Sequence, residues 1–563
     1  MHLSRRTLGK LSLATALPLG LAACAGQSNL DTGSSDGESK PIITTYNGAG
    51  AGFTKNFNPH SPTVLSMVQG MIFEPLFYYN PLAAIDVDPV PQLAESFSWN
   101  EDGTELTVTT RAGVTWSDGT AFTAKDVAFT FNRIKDTEAL NPAGTAPSAE
   151  ASDDTTVVLT YAIPSFVEGP TALGRTWIIP EHLFTGVEDL STYTNEEPIG
   201  TGPFTLGDFT PESYLLSANG SYWEEGKPAI GGVRVMSLSG NQSATDKWLA
   251  GEIDYTSTSM PNLDDHVKSN PDLSYTNSPT SQCALFASSN PDLGSEGPQT
   301  DPAVRQALYY GMDREQLSKL AFYDLGTAIS PSFGLPERDK DFIDPSIEDA
   351  PWNADTAKAQ QVLEDAGWEK GSDGVYAKDG ERLSMTISCP TGWSDFVTAL
   401  DTLAEQYKKV GIELVPQQVS VNEWNDSKST GKFQLVIDSL GQGPAPDPYY
   451  LYKTFFATDS TVKVGENGNP YQNSARFSDP DVDAALEVAA GTDDPSVKKE
   501  QYAKIQKIIV EAMPYVPVLI GSSLTEYNNS KVTGWPTQDD LYCYPMSWSA
   551  PDNAQVLKTV TPA

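Results

Sequence analysis

The sequence contains few residues of the kind that bind metals or form disulfides. Among 563 residues there are four histidines and four cysteines, which are Cys24, Cys283, Cys389 and Cys543. No CxxC pair, HExxH segment or EF-hand loop is present, which excludes the common zinc and calcium motifs. Four cysteines are also too few for a disulfide-framework protein. We therefore expect no metal and no cofactor, and any pairing among the last three cysteines stays open.

Positive charge is scarce as well. The chain has 36 lysines and arginines against 74 aspartates and glutamates, which gives a net charge of −38. A surface of this sign repels the phosphate backbone of nucleic acids and the headgroups of anionic lipids. The composition thus argues against a nucleic-acid partner and against direct adsorption to a membrane.

The sequence also lacks an apolar run of the roughly 20 residues that a membrane-spanning helix needs. The apolar stretch at 11–21 is shorter, and the basic residues Arg5, Arg6 and Lys10 precede it. Small residues follow it, which is the order typical of a signal peptide, here residues 1–23. The segment SRRTL at 4–8 resembles a twin-arginine signal, but a Sec signal fits too, so the export route stays open.

The segment LAAC at 21–24 resembles a bacterial lipobox. That resemblance implies that Cys24 is the first mature residue and carries acyl chains, which would be the protein's only contact with the membrane. Residues 24–40 are rich in Gly, Ser and Asp, which predicts a lipidated flexible tether on the outer face of the cytoplasmic membrane.

Strand and helix signals alternate along the rest of the chain. Strand patterns lie at 106–110, 157–161, 383–388 and 433–437. Thr123 with Asp126 predicts a capping box, and Asp301 and Asp355 each precede a helical pattern. The chain is too long for one core, because single cores stop growing near roughly 250–300 residues. We expect an α/β protein with two lobes.

Several segments, in a fixed order, give the sequence a family resemblance. They read NFNP at 56–59, FEPL at 73–76, PQLAES at 91–96, RAGVTWSDGT at 111–120, TAKDV at 123–127 and GTGPF at 200–204. With these segments the chain resembles the family 5 extracytoplasmic solute-binding proteins, which include binders of peptides, oligosaccharides and nickel. The resemblance implies a monomeric binding protein, not an enzyme, that delivers a small oligomeric solute to ABC permease subunits.

The resemblance also implies a two-lobed periplasmic-binding-protein-like fold of type II (cluster C), with an extra subdomain on the first lobe. The first lobe would comprise 41–73, 202–282 and 520–563, and the insert would span 74–201. The second lobe would span 283–519. The solute would bind between the lobes as they close about a hinge.

The sequence leaves the solute open between an oligopeptide and an oligosaccharide. Peptide binders of the family place an Asp three residues before an acidic-Pro pair, to hold the peptide's amine. The matching pair is Asp447-Pro448, and the position three before it is Pro444, so the anchor is missing unless Asp447 replaces it. Segments 391–396 and 534–542 instead resemble the oligosaccharide-binding branch.

On that resemblance, Trp393 and Trp535 are candidates to lie under sugar rings, while Asp395 and Gln442 accept hydroxyl hydrogens. Further candidates, chosen for their places at strand ends, are Asn47, Phe53, Gln282, Tyr449 and Trp548. Two other functions stay open for the same cleft: a receptor for a signalling peptide, and a secreted lipoprotein hydrolase.

Overall fold

The structure is a computed structural model that describes residues 40–563 apart from 49–51, 86, 142–143 and 337. The predicted signal peptide, the predicted lipidation residue Cys24 and positions 25–39 of the predicted tether lie outside the described residues. In the part that is described, no helix is both long enough and apolar enough to cross a membrane.

Strands and helices alternate along most of the chain. The strands are β1 (Ile42–Tyr46), β2 (Phe77–Tyr78), β3 (Val90–Pro91), β4 (Ala94–Trp99), β5 (Glu105–Thr110), β6 (Ser148–Ala151), β7 (Thr156–Thr160), β8 (Phe204–Phe209), β9 (Ser213–Ala218), β10 (Gly232–Met236), β11 (Tyr255–Thr256), β12 (Leu273–Asn277), β13 (Ser281–Ala287), β14 (Glu369–Lys370), β15 (Tyr376–Lys378), β16 (Glu381–Arg382), β17 (Ser384–Pro390), β18 (Glu413–Val419), β19 (Leu435–Leu440), β20 (Tyr515–Gly521), β21 (Leu524–Asn528), β22 (Val532–Thr533) and β23 (Thr561–Pro562).

The α-helices are α1 (Ala124–Asp136), α2 (Gly169–Gly174), α3 (Glu181–Phe184), α4 (Asn241–Leu249), α5 (Leu263–Ser269), α6 (Pro302–Gly311), α7 (Arg314–Ala321), α8 (Thr356–Asp365), α9 (Ser394–Val410), α10 (Val421–Thr430), α11 (Pro448–Phe456), α12 (Pro480–Ala490), α13 (Pro495–Ala512) and α14 (Asp552–Thr559). The capping box at Thr123 and Asp126 is confirmed at the start of α1. Asp301 and Asp355 cap α6 and α8 as predicted.

Two mixed sheets form the centres of the two lobes. The first has seven strands in the order β12-β21-β11-β1-β10-β9-β8, and the second has five in the order β18-β17-β19-β13-β20. The first sheet therefore takes strands from both ends of the chain. A separate four-stranded sheet, β4-β5-β7-β6, packs against α1 and forms the extra subdomain. The predicted two-lobed α/β fold is confirmed.

Each of these three sheets has its own hydrophobic core. Val233 and Val235 lie in the core of the first lobe, and Ile387 and Val516 lie in that of the second. In the subdomain, Trp116 is fully buried, and its indole nitrogen donates to Asp126, 3.4 Å away. The RAGVTWSDGT segment is thus part of the scaffold of the subdomain.

The chain crosses between the two central sheets at two adjacent segments. One joins β12 to β13 and the other joins β20 to β21. The backbone amide of Ser278 in the first segment donates to the carbonyl of Ser523 in the second, at 3.0 Å. Cores that are separate and joined only by two paired segments can rotate against each other as rigid bodies.

The three cysteines among the described residues are buried and free. Cys283 and Cys389 lie in the core of the second lobe, whereas Cys543 lies in that of the first. Burial raises the pKa of all three thiols, so they are neutral at physiological pH. The pairing that the sequence left open is thereby settled, because none of the three is in a disulfide.

Candidate functional site

A cavity of about 850 Å³ lies between the two lobes. Its lining comes from the first lobe, from residues 81–82 and 175 of the extra subdomain, and from the second lobe. The volume is in the range of small-molecule sites, roughly 300–1,000 Å³. A ligand there would contact both lobes at once.

The lobes touch around this cavity. Gly240 of the first lobe approaches Gly392 of the second so closely that a Cβ on Gly240 would lie 2.9 Å from the carbonyl oxygen of Gly392. The Tyr450 hydroxyl donates to the carbonyl of Val167 in the subdomain at 2.7 Å. The structure therefore has the lobes closed on each other.

Strand direction explains the lining in the second lobe. β17 runs parallel to both β18 and β19, so the carboxyl ends of the three strands meet at one edge of the sheet. The residues that follow these strands, 391–396, 420–425 and 441–444, supply Trp393, Trp424 and Gln442 to the cavity. Ligands of open α/β sheets bind at such carboxyl edges.

Strand direction explains the lining in the first lobe in the same way. β1 and β11 run parallel and end at Tyr46 and Thr256. Asn47 follows the first strand and Thr258 follows the second, and both line the cavity. The Asn47 side-chain amide donates to the Ser66 hydroxyl. Asn47 Oδ1 and Thr258 Oγ1 are buried, and neither has a hydrogen-bond partner among the described residues.

Aromatic rings cover much of the wall. Trp393 packs edge-on against Trp424, with ring centres 5.5 Å apart and planes at 66°. On the opposite lobe Trp548, which is 49 % exposed, packs edge-on against Tyr544 at 5.9 Å. Tyr471 adds a further ring. Such flat apolar faces are the surfaces on which sugar rings and aromatic side chains stack.

The charges in the lining are few and nearly balanced. Asp395, Asp438 and Arg175 are its charged members. Asp438 accepts a hydrogen bond from Lys428 at 2.6 Å, and Arg175 donates to the carbonyl of Ala550. Protein atoms crowd the half-buried Asp395, and this desolvation raises the pKa of its carboxyl to about 6.

Residues 88–461, more than half of the chain, match the sequence profile of the bacterial extracellular solute-binding proteins, family 5 (middle region). The chain belongs to this family. Family 5 proteins bind solutes outside the cytoplasm for ABC importers and are binding proteins rather than enzymes. The family predicted from the sequence is confirmed.

Curated family 5 relatives cover most of the chain. Protein XP55 of Streptomyces lividans is 30 % identical, over 76 % of this chain and 75 % of its own. The oligopeptide-binding protein AppA of Bacillus subtilis is 24 % identical, over 92 % and 93 %. Among solved family 5 structures, a periplasmic oligopeptide-binding protein of Thermotoga maritima with bound mannohexaose has the same fold, with a TM-score of 0.82 at 24 % identity, over 93 % of this chain and 99 % of that one.

Half of the binding residues predicted for this family 5 chain line the cavity. They are Asn47, Trp393, Asp395, Gln442 and Trp548. Gln442 accepts a hydrogen bond from Arg338 at 2.9 Å and donates to the carbonyl of Thr280 at 3.4 Å. The remaining five predicted residues lie away from the cavity lining, in the packed interior.

Trp535 and Phe53 belong to the core of the first lobe. Trp535 stacks on Tyr255 and Tyr527, with ring centres 5.6 and 5.2 Å away, and is 6 % exposed. Phe53 packs edge-on against Tyr214 at 4.9 Å. Both rings are occupied by protein neighbours, so neither face is open to a sugar.

The other three, which are Gln282, Tyr449 and Asp447, are held inside the second lobe. Gln282 is fully buried, and its side-chain amide donates to the carbonyl of Phe333 at 2.7 Å. Tyr449 is 4 % exposed and packs against Tyr450. Strand-end position alone therefore did not separate residues that face the cleft from residues that face the core.

Asp447 has a structural role. Its carboxylate caps α11, accepts from the Tyr502 hydroxyl at 2.7 Å and pairs with Lys498 at 2.9 Å. These bonds use both oxygens, and Asp447 is not among the residues that line the cavity. Pro444, at the position that the sequence predicts for the anchor, lines the cavity.

Several lining residues were missed from the sequence. They include Arg175, Thr258, Trp424, Asn425 and Tyr471. A usable signal existed for Trp424 and Asn425, since they follow β18, which is parallel to its neighbour. Recognising ELVPQQV at 413–419 as a strand would have placed them at the carboxyl edge of the second sheet.

Proposed function

We propose that this protein captures a neutral oligosaccharide between its lobes and delivers it to the permease of an ABC importer. The observation that carries the proposal is the chemistry of the cavity wall. Aromatic rings stand beside hydroxyl and amide groups, and a proline lines the cavity at the position predicted for the peptide-amine anchor. Sugars need flat platforms and groups that bond to hydroxyls, whereas short peptides need partners for their charged termini.

The balance of charge supports the same solute. Lys428 offsets Asp438, and Arg175 and Asp395 are the other charged residues of the lining. A charged solute would face no excess of opposite charge. The Thermotoga protein that holds mannohexaose has the same fold, which makes an oligosaccharide sterically compatible with a cleft of this kind.

An oligopeptide is the second candidate. AppA, an oligopeptide-binding protein, aligns over nearly the whole chain, and its structure with a nonapeptide shares this fold at a TM-score of 0.75. A peptide held through its backbone would not need a terminal amine anchor. The two solutes are separable, because they differ in the groups that must be paired.

A thermal-shift screen of the mature chain, residues 24–563, tests the proposal. The ligands are mannose-, glucose- and xylose-based di- to hexasaccharides and neutral di- to pentapeptides. A solute at 100 times its Kd stabilises the native state by about 2.7 kcal/mol. We expect oligosaccharides to raise the melting temperature. A rise in melting temperature with peptides alone would show that the solute is a peptide and not a sugar.

The same samples separate binding from hydrolysis and from signalling. Chromatography after overnight incubation should return the oligosaccharide intact, and cleaved products would assign the cleft to a hydrolase. Loss of uptake of the labelled sugar in cells that lack the gene supports transport, whereas normal uptake would favour a receptor.

We also propose the predicted domain limits and the lipid anchor at Cys24. The limits are supported by the sheets, since the strands of the first sheet fall within 41–73, 202–282 and 520–563. The second-sheet strands β13 and β20 extend past these limits at 281–282 and 520–521, where the chain crosses between the lobes. Labelling with a fatty-acid analogue should acylate the wild-type chain and not the Cys24→Ser variant. Label retained in that variant would place the lipid elsewhere.

A further inference from the structure

Helix α10 presents two consecutive side chains, Trp424 and Asn425, to the cavity. Trp424 is only 2 % exposed. Its Nε1 and the Oδ1 of Asn425 are both buried, and no group among the described residues forms a hydrogen bond with either atom. Unpaired buried polar atoms are rare and costly, so a bound solute is expected to pair them.

The two atoms define what the solute must offer. An indole N–H only donates a hydrogen bond, and an amide oxygen only accepts one. A hydroxyl both accepts and donates through a single oxygen. An ammonium group cannot accept from the indole, and a carboxylate cannot donate to the amide oxygen. The pair therefore matches a hydroxyl, or the C=O and N–H of a peptide backbone, and neither charged terminus of a peptide.

The orientation of the pair is fixed by neighbouring groups. Asn425 Nδ2 donates to the Tyr471 hydroxyl at 3.3 Å, which leaves Oδ1 as the free amide atom. One turn after Trp424, the Lys428 Nζ lies 3.6 Å from the centre of the indole ring and 4.9 Å from that of Tyr471. A desolvated cation between two rings attracts both of them.

Lys428 is fully buried, and its charge is met by Asp438 at 2.6 Å. Burying a lysine costs free energy even when its charge is paired, because both partners lose their hydration, so an apolar side chain would serve a purely structural position equally well. Its contacts join the indole, the tyrosine ring and a carboxylate of the lining into one rigid group. Such a group holds the indole N–H in one direction.

We propose that Trp424 and Asn425 form the hydroxyl-recognising subsite of the cavity, and that Lys428 is a positioning residue that holds the indole for this contact. The inference rests on the proposed function, because it takes the solute to be an oligosaccharide. It adds which residues bind the sugar's hydroxyls and which residue fixes the orientation of the indole.

The indole resonances of the mature chain test the subsite directly. The chain has eleven tryptophans, each with one indole N–H signal, and Trp424→Phe identifies the signal of Trp424. Mannohexaose and cellohexaose serve as probes. On binding, the Trp424 signal should move downfield, because its proton enters a hydrogen bond. An unmoved signal in a chain that binds either sugar overturns the subsite alone.

Affinities give the second readout. Trp424→Phe keeps an aromatic ring but removes the donor, so we expect sugar binding to weaken about tenfold or more. Trp99→Phe is the matched control, since it makes the same replacement in the extra subdomain, outside the cavity lining, and it should change affinity by less than about threefold. Equal losses in the two variants would overturn the subsite. If neither sugar binds while a peptide does, the proposed function and the subsite fail together.

The positioning role of Lys428 is tested without leaving a lone carboxylate. In Lys428→Met with Asp438→Asn, both buried charges are removed, and urea unfolding verifies that the lobe is folded. We expect weaker sugar binding and a smaller movement of the Trp424 signal. Lys428→Arg keeps a cation between the rings and should restore both. Wild-type affinity and signal movement in the double variant would limit Lys428 to a structural role.

Discussion

Gly240 and Gly392 meet backbone to backbone across the interface between the lobes. Their φ angles are 140° and 89°, in the region that favours glycine, and each would place a Cβ within 3.0 Å of the other segment. Glycine is required here both for conformation and for the close approach. The closed arrangement thus depends on two residues without side chains.

A methyl group at this contact should hold the lobes apart. For Gly392→Ala we expect a solute affinity at least about tenfold lower and a larger radius of gyration in the presence of solute, because only the closed form lets both lobes contact the solute. Isothermal titration and small-angle scattering measure the two effects. Gly374→Ala is the matched control, since Gly374 has a φ of 86° in the same lobe and nothing within 4 Å of its Cβ position. An equal loss in the control would trace the effect to backbone strain instead.

Asp395 should make the stability of the free protein depend on pH. Its pKa is raised from 3.8 to about 6, so between these values the native state binds more protons than the unfolded state. The free energy of unfolding then falls as the pH rises from about 4 to about 6, and it stays at the lower value above.

Asp395→Asn should therefore increase the free energy of unfolding at pH 8 by about 1–2 kcal/mol, after allowance for its partial exposure, and leave it nearly unchanged at pH 4. Urea unfolding of both chains at the two pH values checks this. The comparison with wild type isolates Asp395 from Glu74, a buried carboxyl whose pKa is about 7. A variant that is less stable at pH 8 would contradict the assignment.

Asp447 should matter for stability and little for binding. Asp447→Asn leaves Lys498 without its buried partner, and we expect a loss of about 2–4 kcal/mol in the free energy of unfolding. Affinity for sugars and for peptides, measured below the melting temperature of the variant, should stay within about threefold of wild type. A selective loss of peptide binding would show that Asp447 is an amine anchor after all.

Trp393 and Trp535 should respond in opposite ways to truncation. Trp535→Ala removes a ring stacked inside the first core and should cost about 3–5 kcal/mol of stability. Trp393→Ala removes a ring of the cavity wall, and we expect a large loss of affinity with little change in the melting temperature. Thermal unfolding and titration of both variants make the comparison. Unchanged affinity in Trp393→Ala would exclude that ring from the site.

These two tryptophans also show how far the sequence could be interpreted. Each follows a glycine with positive φ, Gly392 or Gly534, so their local sequences are alike. What separates them is the sheet against which each one packs, and that depends on strands distant along the chain. The helix caps and the family segments were predictable because they depend on local sequence. Whether a ring faces the cavity or the core was not predictable, because that depends on distant strands.

The same dependence on distant parts of the chain explains why the cavity lining could be predicted only in part. Asn47, Arg175, Trp393 and Trp548 line one cavity, although they come from distant parts of the chain. Among the candidates taken from strand ends, Asn47 lies at the cavity, because two parallel strands end together there. Gln282 lies in the core instead, because its strand end is covered by protein.

The place of β21 in the first sheet has a consequence for the order in which the two lobes can fold. This strand comes from 524–528, yet it lies between β11 and β12. Without it β11 has an open edge and β12 has no partner strand in the sheet. The strands of the second sheet all precede it in the chain. During synthesis, all strands of the second sheet are made before β21, the last strand of the first sheet. A chain shortened before residue 524 would therefore have a complete second lobe and a first lobe with exposed, aggregation-prone strand edges.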